Sequence, residues 1–206
     1  MQTYLIIGHL GTLGNEFREL LNGQELLLAD RSELDITNPN SVAQYFSAQK
    51  PDVVINCAAY TNVDGAETDY NSALLVNATA LKFLSENCNK AGATLIHFST
   101  GMVFLGEDPN GYNEDDATDP INRYGESKLQ GEKIIQATAE HYYIIRTEWL
   151  YGKPQSSDAK KSFVEIMLNL GHTGKVKAVN DEHGKPTWAK DLSLIHISEP
   201  TRQAEI

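Results

Sequence analysis

The apolar positions of this 206-residue chain fall in short blocks separated by stretches of helical period. Tyr4–Ile7, Glu25–Leu28, Val53–Asn56, Thr94–Ser99 and Tyr142–Arg146 are compact apolar runs. Runs without polar alternation predict strands covered on both faces. Between them, Leu13–Leu21, Asn40–Ala48, Asn71–Asn89 and Asn122–Thr138 carry apolar residues at three- and four-residue spacing, which predicts helices. Phe17, Leu20 and Leu21 share one side of the first helix. Leu74, Leu75, Ala78, Leu81 and Leu84 share one side of the third. Asn38 with Pro39 marks a helix start, and Gly92 marks a stop. Strands alternating with helices predict an α/β fold built on a doubly wound parallel sheet. Residues 105–121, rich in Gly, Pro, Asp and Asn, predict a long loop of the kind that carries function. After Arg146 the pattern loosens into a polar loop at 155–161, a short amphipathic helix at Phe163–Leu170 and a strand at Lys175–Val179.

Composition narrows the possibilities. A hydrophobic share of 41% suits one large α/β domain, or one domain with part of a second. The net charge of -11 argues against nucleic acid or an anionic membrane as a partner. No apolar run is long enough to span a bilayer, and the N-terminus enters a strand pattern with no signal-peptide features. Cys57 and Cys88 are the only cysteines, in no metal-ligand spacing, and the six histidines are scattered. A cytoplasmic protein with no metal site is expected. Cys57 reads as a small buried residue rather than a nucleophile.

Candidate chemistry begins at Gly8, Gly11 and Gly14, which follow the first strand and open a helix. Small residues there let backbone amides approach a pyrophosphate at the helix N-terminus. Asp30, at the end of the second strand, is placed to accept hydrogen bonds from adenosine ribose hydroxyls, which favours NAD; Arg31 next to it suits a 2′-phosphate, so NADP stays open. Asp35 and Ile36 are expected beside the adenine, and Ala58-Ala59-Tyr60 beside the cofactor just past the third strand. Ser99 and Thr100 end the fourth strand, where ligands bind in such sheets. Tyr124 and Lys128 stand at i and i+4 on one helix face. A cation beside a phenol favours the phenolate and lowers its pKa, so Lys128 is expected to acidify Tyr124 while binding the nicotinamide ribose. Tyr124 would then protonate a carbonyl oxygen held by Thr100 as hydride reaches the carbon.

The motifs match a family. Gly8-His-Leu-Gly-Thr-Leu-Gly14, Pro51–Ala59 with Thr61 and Val63-Asp64, Ser99-Thr100 with Val103-Phe104, Tyr124–Glu132, Arg146-Thr-Glu-Trp149, and Asp181 with Gly184 and Pro186-Thr187 resemble the dTDP-4-dehydrorhamnose reductases. These are extended short-chain dehydrogenase/reductases, and the resemblance covers about residues 1–191. It implies reduction of the 4-keto group of dTDP-4-dehydro-L-rhamnose by NADPH or NADH, the last step of dTDP-L-rhamnose synthesis. It implies Thr100, Tyr124 and Lys128 as the catalytic group and Thr100, Gly101 and Trp149 as substrate contacts. Gly11, Thr12, Leu13, Asp30, Asp35, Ile36, Ala59, Tyr60, Thr61 and Phe98 would line the cofactor. A nucleotide sugar is the implied substrate, and a homodimer the form of the full-length protein.

Two departures qualify the match. The family reads Ser-Thr-Asp-Tyr-Val-Phe where this chain has Ser99-Thr100-Gly101-Met102-Val103-Phe104. Gly101 removes a substrate-touching carboxylate and Met102 an aromatic hydroxyl, which opens the sugar specificity. Restoring Asp at 101 and Tyr at 102 is expected to raise kcat/KM for the rhamnose precursor. The second departure is length. Residues 1–150 are expected to form the NAD(P)-binding Rossmann domain and 151–191 part of a substrate-binding region. Leu192–Arg202 resembles a translated sequencing adapter, so residues 192–206 are expected to be a foreign tail with few core contacts, the natural chain continuing beyond. Two alternative readings remain: a non-catalytic NAD(P)-binding subunit resembling the methionine adenosyltransferase regulatory subunit, and a nucleotide-sugar epimerase or dehydratase.

Overall fold

The first strand shows how the fold is built. In the computed structural model, which describes residues 2–153, 163–172, 174 and 184–198, Leu5 and Ile7 of β1 (Thr3–Ile7) point to one side of the sheet and Ile6 to the other. The period of two thereby feeds two cores, as a strand covered on both faces requires. One core joins β1 to α2 (Pro39–Gln49), α5 (Ala80–Ala91) and α6 (Arg123–Thr138) through Val42, Phe46, Leu81, Leu84 and Ile135. The other joins it to α1 (Thr12–Leu20) through Leu13 and Phe17, and to Ala189 and Leu192.

The sheet is wholly parallel in the order β2-β1-β3-β4-β5, with β2 at Glu25–Ala29, β3 at Val53–Asn56, β4 at Thr94–Thr100 and β5 at Tyr142–Thr147. Connections run one way from β1 to β2 and the other way from β3 onward. The order therefore reverses between β1 and β3, and a crevice opens beyond their carboxyl ends.

Local signals act as expected. The Asn38 side chain accepts from the amides of Asn40 and Ser41 and caps α2, with Pro39 as its first residue. Gly92 closes α5 at φ 68. The helix expected at Asn71–Asn89 is interrupted: α3 (Val63–Thr68) and α4 (Tyr70–Leu74) precede a π-helical turn at Leu75–Thr79, and α5 follows. Asn77, buried in that turn, has its side chain committed to two distant segments, and such side-chain demands accompany π-bulges at functional sites.

A small second sheet pairs β6 (Leu150–Tyr151) with β7 (Thr187–Trp188), and α7 spans Phe163–Gly171. The loop expected at 155–161, the strand at Lys175–Val179 and Asp181 lie outside the described residues. α8 runs Ala189–Ser198 without a break at 192. Leu192 is 1% exposed in the core beside Phe17, and Ser193 is buried too. The expectation of few core contacts from 192 onward is corrected at these two residues, because the helical period set by Ala189 carries Leu192 to the same inward face. No described helix is long and apolar enough to cross a membrane.

Candidate active site

The glycine turn sits at the β1/β3 crevice. Gly8 has φ 78, and a Cβ on it would come within 3.0 Å of the Ala58 nitrogen, so only glycine lets β1 exit against β3. A side chain on Gly14 would overlap the Gly8 carbonyl. Gly11 is the N-cap of α1, with no side-chain cap and no acidic residue in the first turn. The first amides of α1 are therefore open to an anion. The Leu13 side chain is core, so only its backbone faces the turn. The methyl group of Thr12 lies against Gly152.

Asp30 follows β2 directly. His9 Nε2 lies 3.1 Å from its Oδ2, yet the two are not aligned as a hydrogen bond, and this buried oxygen has no donor. Ser99 Oγ and Thr147 Oγ1, at the carboxyl ends of β4 and β5, are also buried without partners. Buried polar atoms of this kind need a partner, a water or a ligand, from outside the chain. Together with the glycine cradle they fit a dinucleotide laid across the strand ends.

The other expected cofactor residues divide. Ala58, Ala59 and Tyr60 flank the turn, and the Tyr60 backbone is held by Asn77, which accepts from its N–H at 2.9 Å and donates to its carbonyl at 3.1 Å. Thr61 is exposed. Arg31 is exposed beyond Asp30. Asp35 is spent locally: its Oδ1 accepts from the Thr37 amide and hydroxyl, which lowers its pKa. Ile36 is a core residue, 6% exposed.

α6 begins where Asn122 caps the Gly125 amide, and it lies so close to the Met102 carbonyl that a side chain on Gly125 would overlap it. This brings Tyr124 to the end of β4, where the Thr100 side chain acts to lower the pKa of its phenol. Burial nevertheless pushes the phenol up to about 12, against that lowering. Lys128 is 1% exposed and burial pushes it down to about 8, with Glu132 opposing. Its amine turns to the Phe98 carbonyl and to His97 Nε2 at 3.1 Å. The expected acidification of Tyr124 by Lys128 is thus corrected: shared helix face does not mean shared contact when β4 offers the amine closer partners.

Several residues went unnoticed in the sequence. Ser127 receives a bond from Asn77 and ties α6 to the π-turn. Glu132, buried, takes a two-pronged bond from Arg146, which also covers the Phe104 ring and donates to the Glu114 carbonyl, pinning the 105–121 loop. Asn56 and His97 pair at 3.1 Å inside the sheet. A polar residue inside an apolar run was the available signal for Asn56, His97 and Asn77. Beside Thr100, any side chain on Gly101 would overlap the Glu148 carboxylate. Trp149, at φ 42 and largely exposed, stacks over Gly184. Half-buried Cys57 has its thiol pKa raised by desolvation, which disfavours the nucleophilic thiolate. No metal-binding cluster occurs among the described residues.

Comparisons with known proteins point to one group of relatives. Residues 1–205 match the family model described as the RmlD substrate binding domain. A dTDP-4-dehydrorhamnose reductase of Aggregatibacter actinomycetemcomitans is 38% identical over 205 residues, covering 97% of this chain and 68% of its own length. A crystal structure of a dTDP-4-dehydrorhamnose reductase from Clostridium acetobutylicum superposes with a TM-score of 0.90 at 40% identity, covering 97% of this chain and 70% of its own. One from Bacillus anthracis, solved in complex with NADP, gives 0.89 at 37% identity, covering 95% and 69%. The chain thus spans about two thirds of the length of these relatives.

Proposed function

This chain belongs to the RmlD substrate binding domain family, and we propose that it reduces the 4-keto group of dTDP-4-dehydro-L-rhamnose to give dTDP-L-rhamnose with NADPH or NADH, as its relatives' names indicate. What supports this reading most is the meeting of Thr100 and Tyr124 at the carboxyl end of β4, where Thr100 acts on the phenol, with Lys128 buried on the same helix face. When bound, the reduced nicotinamide supplies the hydride that a ketone requires. The backbone of Gly8, Gly11, Thr12, Leu13 and Gly14 holds the pyrophosphate, and Asp30 Oδ2, which accepts no hydrogen bond within the chain, accepts from a ribose hydroxyl. Thr100 orients the keto oxygen. Tyr124 gives its proton to that oxygen, and its high pKa keeps the proton in place until then. Trp149 offers its exposed ring to the nucleotide sugar. Residues 1–150 form the dinucleotide-binding part, and residues 151–191 contribute to the sugar-facing wall. A cytoplasmic homodimer belongs to the same reading, checked by light scattering of the purified protein.

Tyr124→Phe tests the assignment. Loss of a general acid costs about 10²–10⁴ in rate. Consumption of NADPH with the keto-sugar nucleotide should fall by that factor, while NADPH binding, read by fluorescence, stays unchanged. Undiminished turnover in the variant would reject the role of Tyr124. Net NADPH consumption by the unaltered protein also separates a reductase from an epimerase or a regulatory subunit.

A further inference from the structure

β4 and β5 end side by side, with Thr100 in register with Thr147. The residues that follow them meet. The Glu148 carboxylate lies where a side chain on Gly101 would begin, its Cδ 2.7 Å and its Cγ 2.8 Å from the Cβ position. Any other residue at 101 would displace that carboxylate, so the glycine makes room for it. Glu148 is half-buried, and no described residue donates to its carboxylate or pairs with it. Arg146, the nearest cation along the chain, is committed to Glu132 and to the Glu114 carbonyl. A carboxylate drawn partly out of water without a partner adds nothing to the stability of the chain that holds it. The backbone is also bent to put it there. Trp149, the next residue, has φ 42, a left-handed conformation that a bulky side chain seldom adopts. Such outliers gather where a ligand is held. The Trp149 carbonyl accepts from the Thr187 amide at 3.3 Å, which ties the bend to β7. Glu148 therefore joins the Thr100 end of β4 to the exposed Trp149 ring.

A carboxylate accepts hydrogen bonds and donates none. It takes a hydroxyl and repels a ligand carboxylate or phosphate at the same spot. Gly101 is one Cα step from Thr100, about 3.8 Å, the scale on which oxygens follow one another round a sugar ring. We infer that Glu148 is a specificity-determining substrate contact: lodged in the space that Gly101 leaves open, its carboxylate accepts from the hydroxyl on the ring carbon next to the keto group of a neutral nucleotide-linked sugar. This rests on the reductase reading and extends it, since Thr100 meets the reacting oxygen and Glu148 its neighbour. A sugar with a carboxylate at that carbon, or with no oxygen there, is turned away.

Binding separates this role from the chemistry. In calorimetry on the full chain with NADP, Glu148→Gln should weaken dTDP-L-rhamnose about tenfold, the scale of a hydrogen bond to a charged group, and leave dTDP unchanged. An analogue of dTDP-L-rhamnose without the hydroxyl at that carbon should bind the unaltered protein about tenfold less tightly, and should bind the Glu148→Gln protein no worse than the unaltered one. Equal losses for both sugars, or a loss for dTDP itself, would make Glu148 structural. Unchanged affinity for dTDP-L-rhamnose would remove it from the sugar site. The analogue on the unaltered protein needs no variant to fold: if removing the hydroxyl costs no affinity there, the inference fails. No turnover is read, so a protein that shows the expected pattern without consuming NADPH on the keto-sugar nucleotide would keep Glu148 as a sugar contact and lose the reductase assignment.

Discussion

Gly101 and Glu148 form a reciprocal pair. The carboxylate of one occupies the space that a side chain on the other would need. The change expected from the sequence, Asp at 101, is therefore not a simple restoration, because it drives one carboxylate into another. Gly101→Asp alone should cost about 1–3 kcal/mol, the usual range for overpacking, and should lower turnover. Adding Glu148→Ala should recover both. Urea unfolding measures the first and NADPH consumption the second; a single variant as stable as the parent would show that Glu148 simply swings aside. Asp30 supports a second expectation. Its donorless Oδ2 repels a 2′-phosphate and attracts a ribose hydroxyl, so Asp30→Asn should shift the NADH to NADPH affinity ratio about tenfold towards NADPH, the scale of one charge-assisted bond. Fluorescence titrations that give the same ratio for both proteins would remove Asp30 from cofactor choice. The residue types at 30, 100, 124 and 128 were legible because their spacing follows strand ends and helix faces. Glu148 was not, since nothing local in Arg146-Thr-Glu-Trp149 tells where its carboxylate goes.

At the scale of elements, the π-turn at Leu75–Thr79 is the joint of the site. Asn77 holds the Tyr60 backbone on one side and Ser127 of α6 on the other, and α6 crosses it so closely that a side chain on Gly131 would overlap the Asn77 carbonyl. Asn77→Ala strands the Tyr60 N–H and carbonyl and should cost about 2 kcal/mol in denaturant unfolding. It should weaken NADPH binding as well, since the loop at Ala58-Ala59-Tyr60 is released. A loss of stability with unchanged NADPH affinity would make the joint purely structural. The helical period from Asn71 onward was legible, but the extra residue of the π-turn was not. Apolar spacing in Leu74, Leu75 and Ala78 fits an α-helix equally well until Tyr60 and Ser127 lay claim to the residue between them.

Across the whole molecule, buried titratable groups set the dependence of stability on pH. Lys128 has a folded pKa of about 8 against an ordinary 10.5, so between these values the folded state binds fewer protons than the unfolded, and stability rises with pH. Cys88 and Tyr124, each raised to about 12, and Cys57, raised still further, keep protons that the unfolded chain sheds above about pH 9, so they reverse the trend. Unfolding midpoints should climb from pH 8 to 9 and fall above about 10. In Lys128→Met the climb should vanish while the fall remains; an unaltered climb would assign it to another group. What the sequence by itself determined is the succession of strands and helices, the glycine turn and the face shared by Tyr124 and Lys128, because each is a periodicity or a local steric demand. Only the tertiary structure decided the order β2-β1-β3-β4-β5, which sets Asn56 beside His97 and both beneath α6, and so turns Lys128 from its helical neighbour Tyr124 to a strand. Hydrogen-bond direction and shared volume are relations between distant residues, and no local pattern encodes them.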